Sequence, residues 1–331
     1  MIDRTVLLTG ANGSLAIPVV QQLLTNYPNY HAVLTVRNPA ASDPNTDQLR
    51  TIIAPFEDRV SVRALDLSNL SSVRDFATTL ATDITAGSLP PLASIICNAY
   101  YWNLTAAPNF TPDGFEKTFQ VNYLAHAVLV QQLLESFGPS PNAPETRYGR
   151  IVLFGSDAIF PGKNSLEKYP PRLADNLDDL ARPAQDTDGD HMGHGFQRYA
   201  LSKLAIVTWM YALNEHLQKP ESAHLKEITA VAINPGNLSD SRALRVNTPF
   251  TLQVLSRFVI RPLCPILRLI DPTMRTAAAA AADVVELAVG ERLEGASGYF
   301  TLLEKGEGPS ESLDRGKQRA LWEKTAEWSL K

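Results

Sequence analysis

T-V-L-L-T-G-A-N-G-S-L-A, residues 5–16, is the stretch that decides how this chain folds. It opens on a β-branched and apolar run of strand length and passes into a glycine-rich turn. Ser14 then stands where it can cap a helix, and Pro18 falls in the first turn of that helix, where a missing N–H costs little. Gly10 and Gly13 let the backbone of the turn approach a pyrophosphate, with Asn12, Ser14 and Leu15 completing a cradle at the helix N-terminus. Such a turn alone also serves as a plain strand-to-helix connection. Its place at the head of an alternating chain is what points to a dinucleotide.

The alternation runs from end to end. Short apolar or β-branched runs at 31–37, 60–66, 92–97, 150–154 and 227–233 are separated by stretches with helical apolar spacing, among them 70–80 and 115–134. Buried strands alternating with helices predict a parallel sheet covered on both faces. The expected architecture is therefore α/β, a Rossmann-type doubly wound sheet of about seven strands. No composition break marks a second domain, so residues 1–331 read as one, interrupted by an insertion at 161–196 and a flap at 238–269.

Composition excludes several classes. The net charge of −5 is the wrong sign for a nucleic-acid partner. Cys97 lies in an apolar run and reads as a buried thiol rather than half of a disulfide. The first residues already form a strand and turn, which leaves no room for a signal peptide. Arg261 and Arg268 interrupt the apolar stretch 258–270, so no transmembrane segment is expected, and a reducing, cytoplasmic setting is the default.

Chemistry enters with Y-A-L-S-K. Tyr199 and Lys203 are four apart in a helical run and share a face, so phenol and ammonium point into one cleft. A lysine charge beside a tyrosine favours the phenolate and is expected to lower the Tyr199 pKa. Ser156, at the end of the strand G-R-I-V-L-F-G-S, supplies a hydroxyl to the same substrate oxygen. Strand two ends in Arg37 rather than an acid, which suits a ribose 2′-phosphate and favours NADP(H) over NAD, although a solvated surface arginine is the bland alternative. Asp66, followed by Leu67, can accept from an adenine amino group or cap the next helix.

These motifs together resemble the short-chain dehydrogenase/reductase family, most closely its retinol dehydrogenase, WW-domain oxidoreductase and carbonyl reductase-like branch. T-G-A-N-G-S-L-A resembles the family's glycine turn, and L-T-V-R-N resembles the segment that follows it in that branch. C-N-A-Y (97–100) stands where the family has NNAG, F-Q-V-N-Y-L-A-H (119–126) resembles the segment bearing its asparagine, and I-N-P-G-N-L (233–238) resembles its PG motif. S-G-Y-F (297–300) and L-W-E resemble the branch's closing elements.

The resemblance implies a catalytic tetrad of Asn122, Ser156, Tyr199 and Lys203. In it Tyr199 donates a proton to the carbonyl oxygen, Ser156 holds that oxygen, and Lys203 binds the nicotinamide ribose. Asn122 kinks its helix and positions water for proton resupply. It also implies cofactor contacts from Asn98, Ala99, Pro235, Gly236 and Leu238.

The chain departs from the pattern at Ala16, at Gly13–Ser14 and at Tyr100 in place of glycine. The altered turn also resembles the extended branch of epimerases and dehydratases. With Tyr100, it keeps open a nucleotide-binding protein that regulates or steers a non-redox cyclisation or isomerisation.

The insertion resembles that of monomeric carbonyl reductases, so a monomer is favoured over a homodimer. His191 and His194 have metal-like spacing but no companion cluster, and a solvated loop with no metal is expected. The flap, apolar residues interspersed with Arg257, Arg261 and Arg268, implies a bulky hydrophobic small-molecule substrate of sterol, polyketide or retinoid type. A core helix and shallow docking on a membrane surface are its two alternatives.

Overall fold

The computed structural model describes residues 2–40, 42–139, 149–219 and 225–330. The ends of the expected domain, Met1 and Lys331, lie outside the described residues. In chain order the first half comprises β1 (Arg4–Leu8), α1 (Ala16–Asn26), β2 (Tyr30–Val36), α2 (Pro44–Ile53), β3 (Val60–Ala64), α3 (Leu70–Thr85), β4 (Leu92–Ile96) and α4 (Lys117–Phe119). A π turn (Gln120–Leu124) joins α4 to α5 (Ala125–Leu133). Then come β5 (Gly149–Phe154), α6 (Asp178–Ala181), α7 (His191–Leu217), β6 (Ile228–Asn234) and α8 (Phe250–Leu255). A second π turn (Ser256–Ile260) leads into α9 (Arg261–Leu267), followed by α10 (Ala277–Val289), β7 (Gly298–Thr301), β8 (Glu304–Gly306), α11 (Ser310–Leu313) and α12 (Arg315–Ser329).

The strands form one sheet in the order β3-β2-β1-β4-β5-β6-β7-β8. The first seven are parallel, and β8 turns back antiparallel on β7 at the edge. The expected doubly wound sheet is present with this one extra strand. Glu304–Gly306 is exposed and polar, so apolar periodicity carried no signal for it.

Strand alternation explains the two cores. In β1, Leu7 points to one face, where α3, α5, α7 and α12 bring Val73, Leu129, Leu204 and Leu321. Val6 and Leu8 point to the other, against Val20 and Leu24 of α1 and Val284 of α10. Strands buried on both sides must be apolar at every position, which is why they stood out as continuous runs.

The order reverses between β1 and β4, and a crevice opens beyond their carboxyl ends at that switch point. Two glycines shape it. Gly10 (φ +64°) allows the turn after β1 to double back, and a Cβ there would stand 2.9 Å from the Cβ of Ala99. Gly236 (φ +82°) does the same after β6, where a Cβ would meet the Thr273 carbonyl at 2.3 Å.

Two expectations need correcting. His191 and His194 are not in a solvated loop: they lie in the first turns of α7, whose N-terminus is capped by Asp190 accepting from the Gly193 N–H at 3.0 Å. His194 stacks on Tyr169 with centroids 4.3 Å apart and bonds to Asp188, and no metal-like cluster occurs among the described residues. The flap is not a core helix either, since between Phe250 and Leu267 only Ser256 and Cys264 are buried. This 18-residue segment has mean hydropathy 1.3 and is long and apolar enough to cross a membrane by length and composition alone. It starts at Phe250 rather than Phe258, which leaves Arg268 outside it.

Candidate active site

The crevice is a cavity of about 700 Å³. Its floor is the turn after β1. Asn98 donates through Nδ2 to the Thr9 and Gly10 carbonyls at 3.1 and 3.2 Å, tying the turn to the end of β4. Beneath it, the Ala99 N–H donates to Thr9 Oγ1 at 3.0 Å, and Thr9 Oγ1 lies 2.9 Å from His126 Nε2. Burial pushes the His126 pKa down to about 3, so the ring is neutral and serves as a fixed strut.

Ser14 does not cap α1. The N-cap residue is Leu15, with no side-chain cap. The Ser14 hydroxyl instead lies 3.4 Å from Ser241 Oγ and accepts from the Arg242 N–H at 3.3 Å. In the first turn of α1 Pro18 has no N–H, and the Ile17 and Val19 N–H groups donate to the Gly13 and Leu15 carbonyls, so what α1 offers the cavity is the positive end of its dipole behind Gly13, Ser14 and Leu15.

All the residues expected to touch a cofactor line this one cavity: Gly10, Asn12, Gly13, Ser14, Leu15, Arg37, Asp66, Leu67, Asn98, Ala99, Tyr199, Lys203, Pro235, Gly236 and Leu238. Arg37 is exposed at one end of it. Asp66 does not cap α3, whose cap is Asn69 accepting from the Ser72 N–H at 3.2 Å. One Asp66 carboxylate oxygen accepts from the Ser68 N–H and hydroxyl at 2.9 and 2.6 Å, which fixes the carboxylate at the cavity edge.

At the other end stand Tyr199, Lys203 and Ser156. The i, i+4 spacing on α7 puts Lys203 Nζ over the Tyr199 ring, 5.9 Å from its centroid. The expected lowering of the Tyr199 pKa does not occur in the protein alone. Burial pushes the phenol up, and a hydrogen bond with Ser156 offsets this in part. Lys203 sits over the ring face rather than at the oxygen, and its own charge is disfavoured, with burial bringing its pKa down to about 8. Tyr199 is thus a protonated phenol at neutral pH.

Ser156 caps the short turn that follows β5, accepting from the Ala158 N–H at 3.2 Å. Tyr299 of β7 packs against Gly155 and donates to the Ser156 carbonyl at 3.4 Å, so the S-G-Y-F motif supports the serine from below.

Asn122 is not in the cavity lining. It is buried inside the π turn, where its side chain accepts from the Tyr101 N–H at 2.7 Å and donates to the Tyr101 carbonyl and Ser202 Oγ at 2.9 Å each. That use ties the 100–104 loop to the centre of the sheet.

The sequence places Tyr100, Tyr101 and Trp102 near the substrate mouth, with core packing as the alternative, but gives no sign that Phe196 joins Tyr100 and Trp102 around Tyr199. Trp102 packs edge-on at 5.3 Å between centroids, Tyr100 at 6.5 Å, and Phe196 lies tilted at 6.1 Å. Trp102 is held by its indole N–H donating to the Val246 carbonyl at 3.2 Å. Arg242 was missed as well: it reaches back from the flap to donate to the Asn12 carbonyl, closing the flap over the glycine turn. Local periodicity carries no sign of the Trp102–Tyr199 or Arg242–Asn12 contacts, because each joins segments more than ninety residues apart.

Known proteins are similar to this chain in sequence and fold. Residues 242–330 match the AcuH dehydrogenase domain. The short-chain dehydrogenase iccH of Talaromyces variabilis is 30% identical, over 96% of this chain and 93% of its own. The chain belongs to the short-chain dehydrogenase family. This short-chain dehydrogenase is an oxidoreductase, and it is also 27% identical to mouse retinol dehydrogenase 13 over 98% of its length and 83% of that protein. Its fold matches a carbonyl reductase from chicken fatty liver, solved with bound NADPH, at a TM-score of 0.58 and 16% identity, covering 93% and 95% of the two chains.

Proposed function

We propose that this short-chain dehydrogenase is an NADPH-dependent reductase that converts a ketone or aldehyde on a bulky apolar molecule to the alcohol. The observation that carries the reading is a protonated Tyr199 beside Ser156, in the cavity that also holds Arg37 and the uncapped N-terminus of α1. The site fits a dinucleotide phosphate: the turn has glycine where a Cβ would collide, the positive dipole end of α1 stands behind it for the pyrophosphate, and a cation stands where strand two ends. The chicken reductase was solved with NADPH, and Arg37 favours the same form here.

NADPH held by the glycine turn and Arg37 would supply hydride to the carbonyl carbon. Tyr199 gives its proton to the carbonyl oxygen, so the alcohol forms without net charge on the product. Ser156 donates to that oxygen as negative charge develops, and Lys203, when protonated, stabilises the phenolate left on Tyr199. Leu244, Leu252, Leu255, Ile260, Trp102 and Phe196 make the cavity's substrate side apolar, which suits a large hydrophobic carbonyl compound.

We take the chain as a monomer. α12 packs over α7 and the π turn before α5, through Trp322 stacked on Trp209 and Tyr123 hydrogen-bonded to Thr325, and the insertion docks beside it through Asp178, which accepts from the Trp328 indole of α12.

The test is fluorescence titration with NADPH and NADH, followed by cofactor oxidation against a panel of bulky ketones. NADPH binds more tightly than NADH, and Arg37→Ala erases that preference with a loss of roughly tenfold to a hundredfold for NADPH only. Tyr199→Phe keeps NADPH affinity and loses roughly a hundredfold to ten-thousandfold in turnover. Unchanged turnover in Tyr199→Phe would sink the proposed chemistry, and equal binding of the two nucleotides would sink the cofactor choice.

A further inference from the structure

The segment from Ser241 to Ile270 holds five arginines and no acidic residue, in a chain whose net charge is −5. It also carries most of the large exposed apolar side chains among the described residues. Phe250 is 77% exposed, Phe258 66%, Ile266 59%, Leu269 86% and Ile270 80%. Single exposed apolar residues are ordinary, but a run of this density over two turns of helix and its continuation is an interaction surface.

Arg257, Arg261 and Arg268 are all exposed. The Arg257 guanidinium lies over the Phe258 ring, 5.6 Å from its centroid, so cation and aromatic face outward together.

We propose that α8, the second π turn and α9 dock flat on an anionic phospholipid surface, with Phe250, Phe258, Ile266, Leu269 and Ile270 entering the headgroup boundary and the arginines meeting lipid phosphate. Three observations choose this mode over spanning. Ser256 and Cys264 of the same helical stretch are buried against the protein, and Leu252, Leu255 and Ile260 line its cavity. A helix held against protein along part of its surface cannot be surrounded by lipid, but its outer side can still meet a lipid surface. Pro265 stands inside α9 and a π turn interrupts the run, so the segment is bent rather than a straight spanning rod. Its charge is opposite in sign to the chain's net charge, which is the complementarity an anionic surface requires and a second copy of this same face does not offer.

Docking in this way sets the apolar end of the cavity against the bilayer, because one helix presents residues to both. That consequence rests on the reductase reading; the docking itself does not, and it is measured without turnover.

The experiment is flotation of the full chain with vesicles of phosphatidylcholine, alone and mixed with phosphatidylserine. The protein is expected to float with the mixed vesicles and far less with the neutral ones. Arg257→Gln and Arg261→Gln should lower partitioning on the order of fivefold each. Phe258→Asp and Leu269→Asp should abolish it while leaving the melting temperature and NADPH affinity unchanged, since both side chains are exposed and outside the cavity lining. Absence of flotation, equal flotation on neutral and anionic vesicles, or undiminished flotation of Phe258→Asp would overturn the proposal. So would a dimer in size-exclusion chromatography that Phe258→Asp dissociates, because the face would then belong to a second copy.

Discussion

Replacing Lys203 by methionine separates what the side chain does for catalysis from what it costs the fold. Lys203 is 5% exposed, and burial lowers its pKa from 10.5 to about 8, with the neighbouring Cys97 offsetting only a little. Below pH 8 the lysine is charged in both folded and unfolded chains, and the folded state bears the full cost of burying the ammonium. Above pH 10.5 it is neutral in both and the cost is gone. Stability from this group is therefore lowest at neutral pH and recovers as pH rises from about 8 to about 10.5, where the unfolded chain binds more protons. At 1.36 kcal/mol per pKa unit the cost is about 3 kcal/mol. Methionine has similar length and no charge, so Lys203→Met is expected to be more stable than the parent at pH 7 by up to about 3 kcal/mol, with the gain shrinking toward zero by pH 10.5. Thermal melts of both proteins across that range, without cofactor, check it, because other titrating groups cancel in the difference. A variant no more stable at pH 7, or a difference that ignores pH, would refute the reasoning by showing the ammonium to be compensated in the folded chain.

The same titration reaches activity: kcat/KM for reduction should fall above about pH 8 as Lys203 loses its proton, and a pH–rate profile of Lys203→Arg should carry that fall to higher pH. Asn122→Ala removes the partner of both Tyr101 backbone groups and of Ser202, leaving buried polar atoms unpaired, and should cost about 2–4 kcal/mol in chemical denaturation. Gly10→Ala combines a left-handed backbone with a Cβ 2.9 Å from Ala99; it should cost about 1–3 kcal/mol in thermal melts and weaken NADPH titration in parallel.

Much of this molecule was legible in the chain because its signals are local. Strands buried on both faces are apolar almost throughout, so β1, β2, β4, β5 and β6 announced themselves within two residues of their ends, and the half-buried edge strand β3 did so through its valines. The glycine turn and the Tyr199–Lys203 spacing were readable for the same reason: tight turns and helix faces are set by residues a few positions apart. Tertiary structure decided what depends on distant partners. Ser14 was free to cap α1 until Ser241 and Arg242 folded over it, and Asp66 was free to cap α3 until Asn69 took that place. Lysine beside tyrosine promised a lowered phenol pKa, yet enclosure of both groups by Trp102, Phe196 and the sheet reversed the sign, because burial opposes charge on either one. The flap's composition was visible from the start, but only the folded chain showed which of its side chains enter the cavity and which stand outside in solvent. One-dimensional periodicity records that a helix has two faces; what each face meets is settled by segments that the sequence places far away.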